Sequence, residues 1–177
     1  MAKLPTRSPT HEDVPAGRLA AMGLELEDIA DGDTVTLRAL IELAEDRGRP
    51  ASHYLAAIAL ATELRIAAGA PIDPTGVAPR PAGEAGRVPT PQLASLTIRV
   101  CAGTCQRWGA LDLLDHLVGR LSGPPTGPPP RFAIAPVSCL DRCDHAPACE
   151  IHGTHGQLVV APATPAAVDD ALRELAG

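Results

Sequence analysis

Four of the five cysteines fall in two short pairs, Cys101-Ala-Gly-Thr-Cys105 and Cys139-Leu-Asp-Arg-Cys143. Each pair follows an apolar run that reads as a strand, Leu96-Thr-Ile-Arg-Val100 and Phe132-Ala-Ile-Ala135. Loops that follow two parallel strands joined by a helical crossover leave the sheet at the same end, so the four thiolates can surround one place. Soft sulfur ligands favour iron–sulfur clusters or zinc. Two cysteine pairs are also a zinc pattern, though zinc knuckles are usually tighter. A thioredoxin-type redox disulfide has two residues between its cysteines, whereas both loops here have three. Cys149 falls where a strand should begin and reads as a small core residue, with a substitute ligand as its alternative. His145, His152 and His155 follow the second pair. Histidines ligate one iron of Rieske centres, but His152 and His155 fall at an expected hairpin turn and read as surface residues. Arg107 and Arg142 flank the pairs, where a cation offsets the charge of an anionic centre or docks an acidic partner.

The elements that must position these residues follow from periodicity. After the first pair, Gln106 to Leu121 reads as a helix with Leu111, Leu114, Val118 and Leu121 on one face. Its start just after Cys105 is expected to point the positive end of its dipole at the site. Ser122 to Pro130 is a Pro/Gly loop. Ala148 to His152 and Gln157 to Val160 read as a hairpin closed by Gly153-Thr-His-Gly156. Thr164-Pro165 supplies an N-cap and a first-turn proline for a last helix carrying Val168, Ala171, Leu172 and Leu175. The order is βαβββα or βαββα, a small α/β layer.

Upstream, the chain divides into a helical region, 1–70, and a Pro/Gly-rich linker, 71–92, ahead of the α/β domain at 93–177. Residues 1–17, with Pro5, Pro9, Pro15 and Gly17, are expected to be disordered or loosely attached. A helix begins near a cap at Asp33 or Thr34, shows Leu37, Leu40, Ile41 and Ala44 on one face, and stops at Gly48. A second helix, from about Ala51 to Ala68, is apolar around most of its circumference. Such a helix needs burial on several sides. It is expected to dock on the second domain or on a partner, a homodimer mate included. Because the ligands and βα elements all lie beyond the linker, a piece starting near Val88 is expected to fold alone.

The chain has 177 residues, 45% of them hydrophobic, which suffices for one domain or two small ones. Its net charge of −6 and its only three aromatics, Tyr54, Trp108 and Phe132, exclude the basic, stacking surface of a nucleic-acid binder. No apolar run is long enough to insert in a membrane. The amino-terminal residues carry no apolar signal segment, so a cytoplasmic setting is expected, in which cysteines serve metal or redox chemistry rather than a disulfide framework. No residue set reads as catalytic.

The segment Cys139-Leu-Asp-Arg-Cys143-Asp-His-Ala-Pro147-Ala-Cys-Glu-Ile-His-Gly153, with the Thr-Pro and final helix after it, resembles the thioredoxin-like 2Fe–2S ferredoxins. That family includes the 24-kDa-type small subunit of NADH dehydrogenases and stand-alone ferredoxins. Its motif reads Cys-Leu-Gly-x-Cys, two residues, Ala-Pro, a short strand and Gly. The resemblance covers about residues 95–177. Asp141 and Arg142 replace the motif's small residues, and the first cysteine pair is one residue shorter than in the complex-associated members. The resemblance implies a thioredoxin-like ferredoxin domain preceded by the small helical region. It implies that Cys101, Cys105, Cys139 and Cys143 ligate one 2Fe–2S cluster. It further implies one-electron transfer to a redox partner, such as a flavin- or metal-containing oxidoreductase, by a carrier or complex subunit rather than a stand-alone enzyme. The alternative is a zinc-stabilised protein-interaction module without redox activity.

Overall fold

The computed structural model describes residues 12–67, 96–122, 132–153 and 156–176. The architecture is mixed, with helices packed on a four-stranded sheet. Most of residues 1–17, and all of the Pro/Gly-rich strip at 71–92, lie outside the described residues.

The first element is a helix that the sequence reading does not contain, α1 (Ala16–Glu27). It follows Pro15 and buries Leu19, Met22, Gly23 and Leu26, a face at helical spacing. Val14, just before it, is buried as well. The next helix, α2 (Leu37–Asp46), is capped by Thr36, whose hydroxyl accepts from the Ala39 N–H at 3.2 Å, rather than by Asp33 or Thr34. Those two residues are taken by other contacts. Thr34 belongs to a short strand, β1 (Thr34–Val35), and Asp33 pairs with Arg65. Gly48 ends α2 as expected. It holds φ 61°, and the N–H groups of Gly48 and Arg49 donate back to the carbonyls of Glu45 and Ala44.

The apolar helix α3 (Ala51–Ala61) is shorter than its composition suggests. Thr62 turns extended, and β2 (Arg65–Ile66) then pairs in parallel with β1. Ser52 and the run from Tyr54 to Ile58 are all buried. The burial is supplied by α1 on one side and by the α/β layer on the other, where α3 lies against α4 (Ala110–Ser122) and β4 (Phe132–Val137). The amino end of α3 is capped across this junction. The Ser52 N–H and hydroxyl donate to the two carboxylate oxygens of Asp115 on α4, each at 2.9 Å.

The sheet runs β4-β3-β5-β6, with β3 (Leu96–Cys101), β5 (Cys149–Gly153) and β6 (Gly156–Val160). β3 and β4 are parallel; β5 is antiparallel to β3 and β6 to β5. Ile98, Val100, Ile134, Cys149 and Ile151 are buried in the sheet, and Leu111, Leu113, Leu114 and Leu117 of α4 with Val168 of α5 (Pro165–Ala176) are buried in the same core. Thr164 caps α5, accepting from the Ala167 N–H at 3.2 Å. Residues of both halves of the chain belong to that continuous core. Among the described residues, no helix is long and apolar enough to cross a membrane.

Candidate metal centre

Parallel pairing sets Cys101, the last residue of β3, opposite Val137, the last of β4. Both cysteine loops therefore start at the same end of two adjacent strands. Backbone contacts tie them together. The Ala102 N–H donates to the Val137 carbonyl at 2.8 Å, and Cys101 Sγ lies 3.7 Å from the Ser138 carbonyl oxygen. Gly103 makes the approach closer still. A Cβ added there would fall far inside van der Waals contact with the Ser138 oxygen. Only a residue without a side chain fits between the loops.

Cys105 sits in a single 3-10 turn, Thr104–Trp108, and Gly109 at φ 100° separates that turn from α4. This corrects the expectation of one helix from Gln106. α4 starts at Ala110, so its dipole does not begin beside Cys105. The sulfurs are served by individual backbone amides instead. Those of Gly103, Cys105 and Leu140 act to lower the Cys101 thiol, and that of Ala148 opposes the rise at Cys105. Asp141 donates its N–H to Cys139 Sγ at 3.3 Å. Its backbone is left-handed, φ 54°, a region that glycine adopts freely and aspartate tolerates.

The thiols fall in two neighbouring pairs. Cys105 lies close enough to bear on Cys101, whose own Sγ also faces the Ser138 carbonyl. The Cys105 thiol, and after it the backbone amides, draw Cys101 down to about 6, with burial opposing. Cys105 is pushed up by Cys101 and by burial. The two thiols are thus unequal, with Cys101 the easier of the pair to deprotonate. Cys139 and Cys143 likewise interact, and the Cys143 thiol is raised by desolvation and then by charge on Cys139 and Cys101. Charge on Cys143 in turn acts on Cys105, so the two pairs are electrostatic neighbours. They differ in exposure. Cys101 and Cys105 are buried, whereas Cys139 and Cys143 face solvent.

The remaining candidates lie apart from these pairs. Cys149 is fully buried on β5, in register with Val100 and Val160, and burial pushes its thiol up to about 12. His152 bonds Glu150 at 3.2 Å, His145 is exposed in the turn after Cys143, and His155 lies outside the described residues. Arg142 is exposed, and Arg107 donates to Asp13 at 2.9 Å. Sequence reasoning missed Gln106, which is buried under the first loop. Nothing in its neighbourhood of the sequence marks it, because one of its partners lies 92 residues away.

Four thiols suit a soft metal centre, and their grouping bears on which one. Among the described residues, no three histidine, cysteine or acidic side chains are grouped around one position for a single ion. The donors instead stand two and two. No family model and no curated protein matches the chain.

Proposed function

We propose that this chain is a one-electron carrier, or the electron-transfer subunit of an oxidoreductase complex. In this reading its α/β layer is a thioredoxin-like ferredoxin domain. Cys101, Cys105, Cys139 and Cys143 would hold one 2Fe–2S cluster, which supplies a site for a single electron. The observation that carries the reading is the placing of the two cysteine pairs on loops that leave β3 and β4 at their shared end. One pair per iron is the donor set a two-iron cluster requires. Two further features support it. The sequence of a βαβ crossover, an antiparallel hairpin and a last helix is the order the resemblance calls for. Asp141 holds φ 54° where the resembled motif has glycine, so the substitution keeps the backbone that glycine would supply.

The chain's own groups divide the work. The buried pair anchors one side of the site away from water. The exposed pair brings the other side to the surface, within reach of a redox partner such as a flavin- or metal-containing enzyme. Backbone N–H groups aimed at the sulfurs offset negative charge and so favour the reduced state. Cys101, whose thiol is drawn below its usual range by Cys105 and the backbone amides, would give up its proton to a metal more readily than Cys105.

Anaerobic reconstitution with iron and sulfide tests this. The expected result is two irons and two sulfides per chain, visible charge-transfer bands, and a one-electron paramagnetic signal on reduction. Cys101→Ser, Cys105→Ser, Cys139→Ser and Cys143→Ser should each lower cluster content or change the spectrum, and Cys149→Ser should change neither. A colourless chain that takes up one zinc through the same four residues would establish the interaction-module reading instead.

A further inference from the structure

Gln106 follows the ligand candidate Cys105 directly, yet it is one of few buried polar side chains among the described residues, 6% exposed. Both ends of its amide are used. Nε2 donates to the Ala102 carbonyl at 2.7 Å, and Oε1 accepts from the Val14 N–H at 3.0 Å. Ala102 lies between Cys101 and Cys105 and is itself fully buried. Its N–H is held by Val137, so the Gln106 bond fixes the second of its two backbone groups. Next door, Arg107 reaches Asp13. Two consecutive residues of the turn thus grip two consecutive residues ahead of α1. Of the two grips, the Arg107 pair is largely exposed and is worth little in water. The Gln106 grip is buried, and loss of the side chain would strand an N–H and a carbonyl without water.

We propose that Gln106 is a positioning residue that couples the amino-terminal segment to the geometry of the first cysteine loop. Seating of Val14 orients the Gln106 amide, and the amide fixes the Ala102 carbonyl and hence the Cys101–Cys105 pair. Linkage is reciprocal, so occupation of the site also tightens the hold on residues 13–14. The loaded-site part of this inference rests on the function proposed above; the positioning itself does not.

The test therefore has two arms in the full-length chain. Gln106→Ala removes both bonds. Gln106→Glu keeps an acceptor for the Val14 N–H but loses the donor to Ala102. Arg120→Gln, which breaks a partly exposed ion pair with Asp169 between the last turn of α4 and α5, serves as control. In the metal-free chain, alkylation of Cys101 and Cys105 is followed by mass spectrometry, with far-UV circular dichroism to verify folding. Gln106→Ala should label about tenfold faster than wild type, Gln106→Glu faster than wild type as well, and Arg120→Gln at the wild-type rate. In the iron–sulfur-loaded chain, Gln106→Ala and Gln106→Glu should shift the visible dichroism and speed chelator-driven bleaching by about tenfold. If wild type never takes up a cluster, the proposed function fails while the first arm still decides this inference. Wild-type labelling in both folded Gln106 variants would overturn it. If Gln106→Ala does not fold, Gln106→Glu alone decides between the same two outcomes.

Discussion

Gly103 shows how a single residue can set the spacing of a site. Its neighbour across the gap is the Ser138 carbonyl, part of the second cysteine loop, and backbone cannot swing away as a side-chain tip can. Gly103→Ala must therefore push the two loops apart. Overpacking of this kind costs about 1–3 kcal/mol. The expected outcome is a folded protein with a lower melting temperature and, under the function proposed above, markedly lower metal content after reconstitution. Urea melts with metal analysis check it, and an unchanged metal stoichiometry would mean that the loops do not need this approach. At this scale the sequence was partly readable. The small residues between Cys101 and Cys105 already signalled room for a close approach. The two apolar runs ahead of the cysteine pairs read correctly as strands, and both pairs lie on loops that leave those strands at one end of the sheet. Gln106 was invisible because its meaning depends on Val14, which reaches it only through the tertiary fold.

Between elements, the contact of α1 with α3 is fastened by a polar cluster at its edge. Tyr54 donates its hydroxyl to Glu25, and Arg49 donates to both. The Tyr54 hydrogen bond is the main cause that holds the Glu25 carboxyl below its usual 4.5, against partial burial. Burial and the Glu25 bond push the Tyr54 phenol above its usual 10.0. The signs bound a pH window. A depressed carboxyl contributes stability that is complete above its unfolded value and fades as pH falls through the folded one. A raised phenol contributes stability that is complete below its unfolded value and fades as pH rises through the folded one. Melting temperature should hold between these limits and drop below about pH 4.5, and Glu25→Gln should flatten the acid limb. An acid limb of unchanged steepness in that variant would remove Glu25 from the account. The sequence offered little warning of this contact. Strong periodicity after residue 93 made β3, β4, the hairpin and α5 legible. α1 was missed because its buried face mixes glycine and methionine with leucine among alanines, which weakens the contrast between faces. α3 was overextended because an apolar run does not show where the chain turns into β2, and that turn is fixed by pairing with a distant β1.

The whole molecule is where the reading by separate regions meets its test. The sequence divides at the Pro/Gly strip, and a piece from Val88 onward carries the cysteines and the entire four-stranded sheet. Packing does not divide there. α3 lies on α4 and β4, its amino end is held by Asp115, and Val14 reaches the cysteine loop through Gln106. Burying side chains such as Tyr54, Leu55 and Ile58 is worth about 1.5–3 kcal/mol each. Three such residues together match a large share of the roughly 5–15 kcal/mol that separates a folded domain from its unfolded chain. Removing residues 1–75 would uncover the apolar surface of α4 and β4 on which α3 rests and leave Asp115 without its Ser52 partner. The loss is of the same order as the whole stability of a small domain. Expressed alone, residues 88–177 should be insoluble or bind a hydrophobic dye, and residues 1–75 should self-associate. Mixing the two should restore a soluble, cooperatively melting complex in which the dye is released. A soluble 88–177 piece with a sharp melt and no dye binding would show that the α/β layer stands alone and that the helical layer only rests upon it.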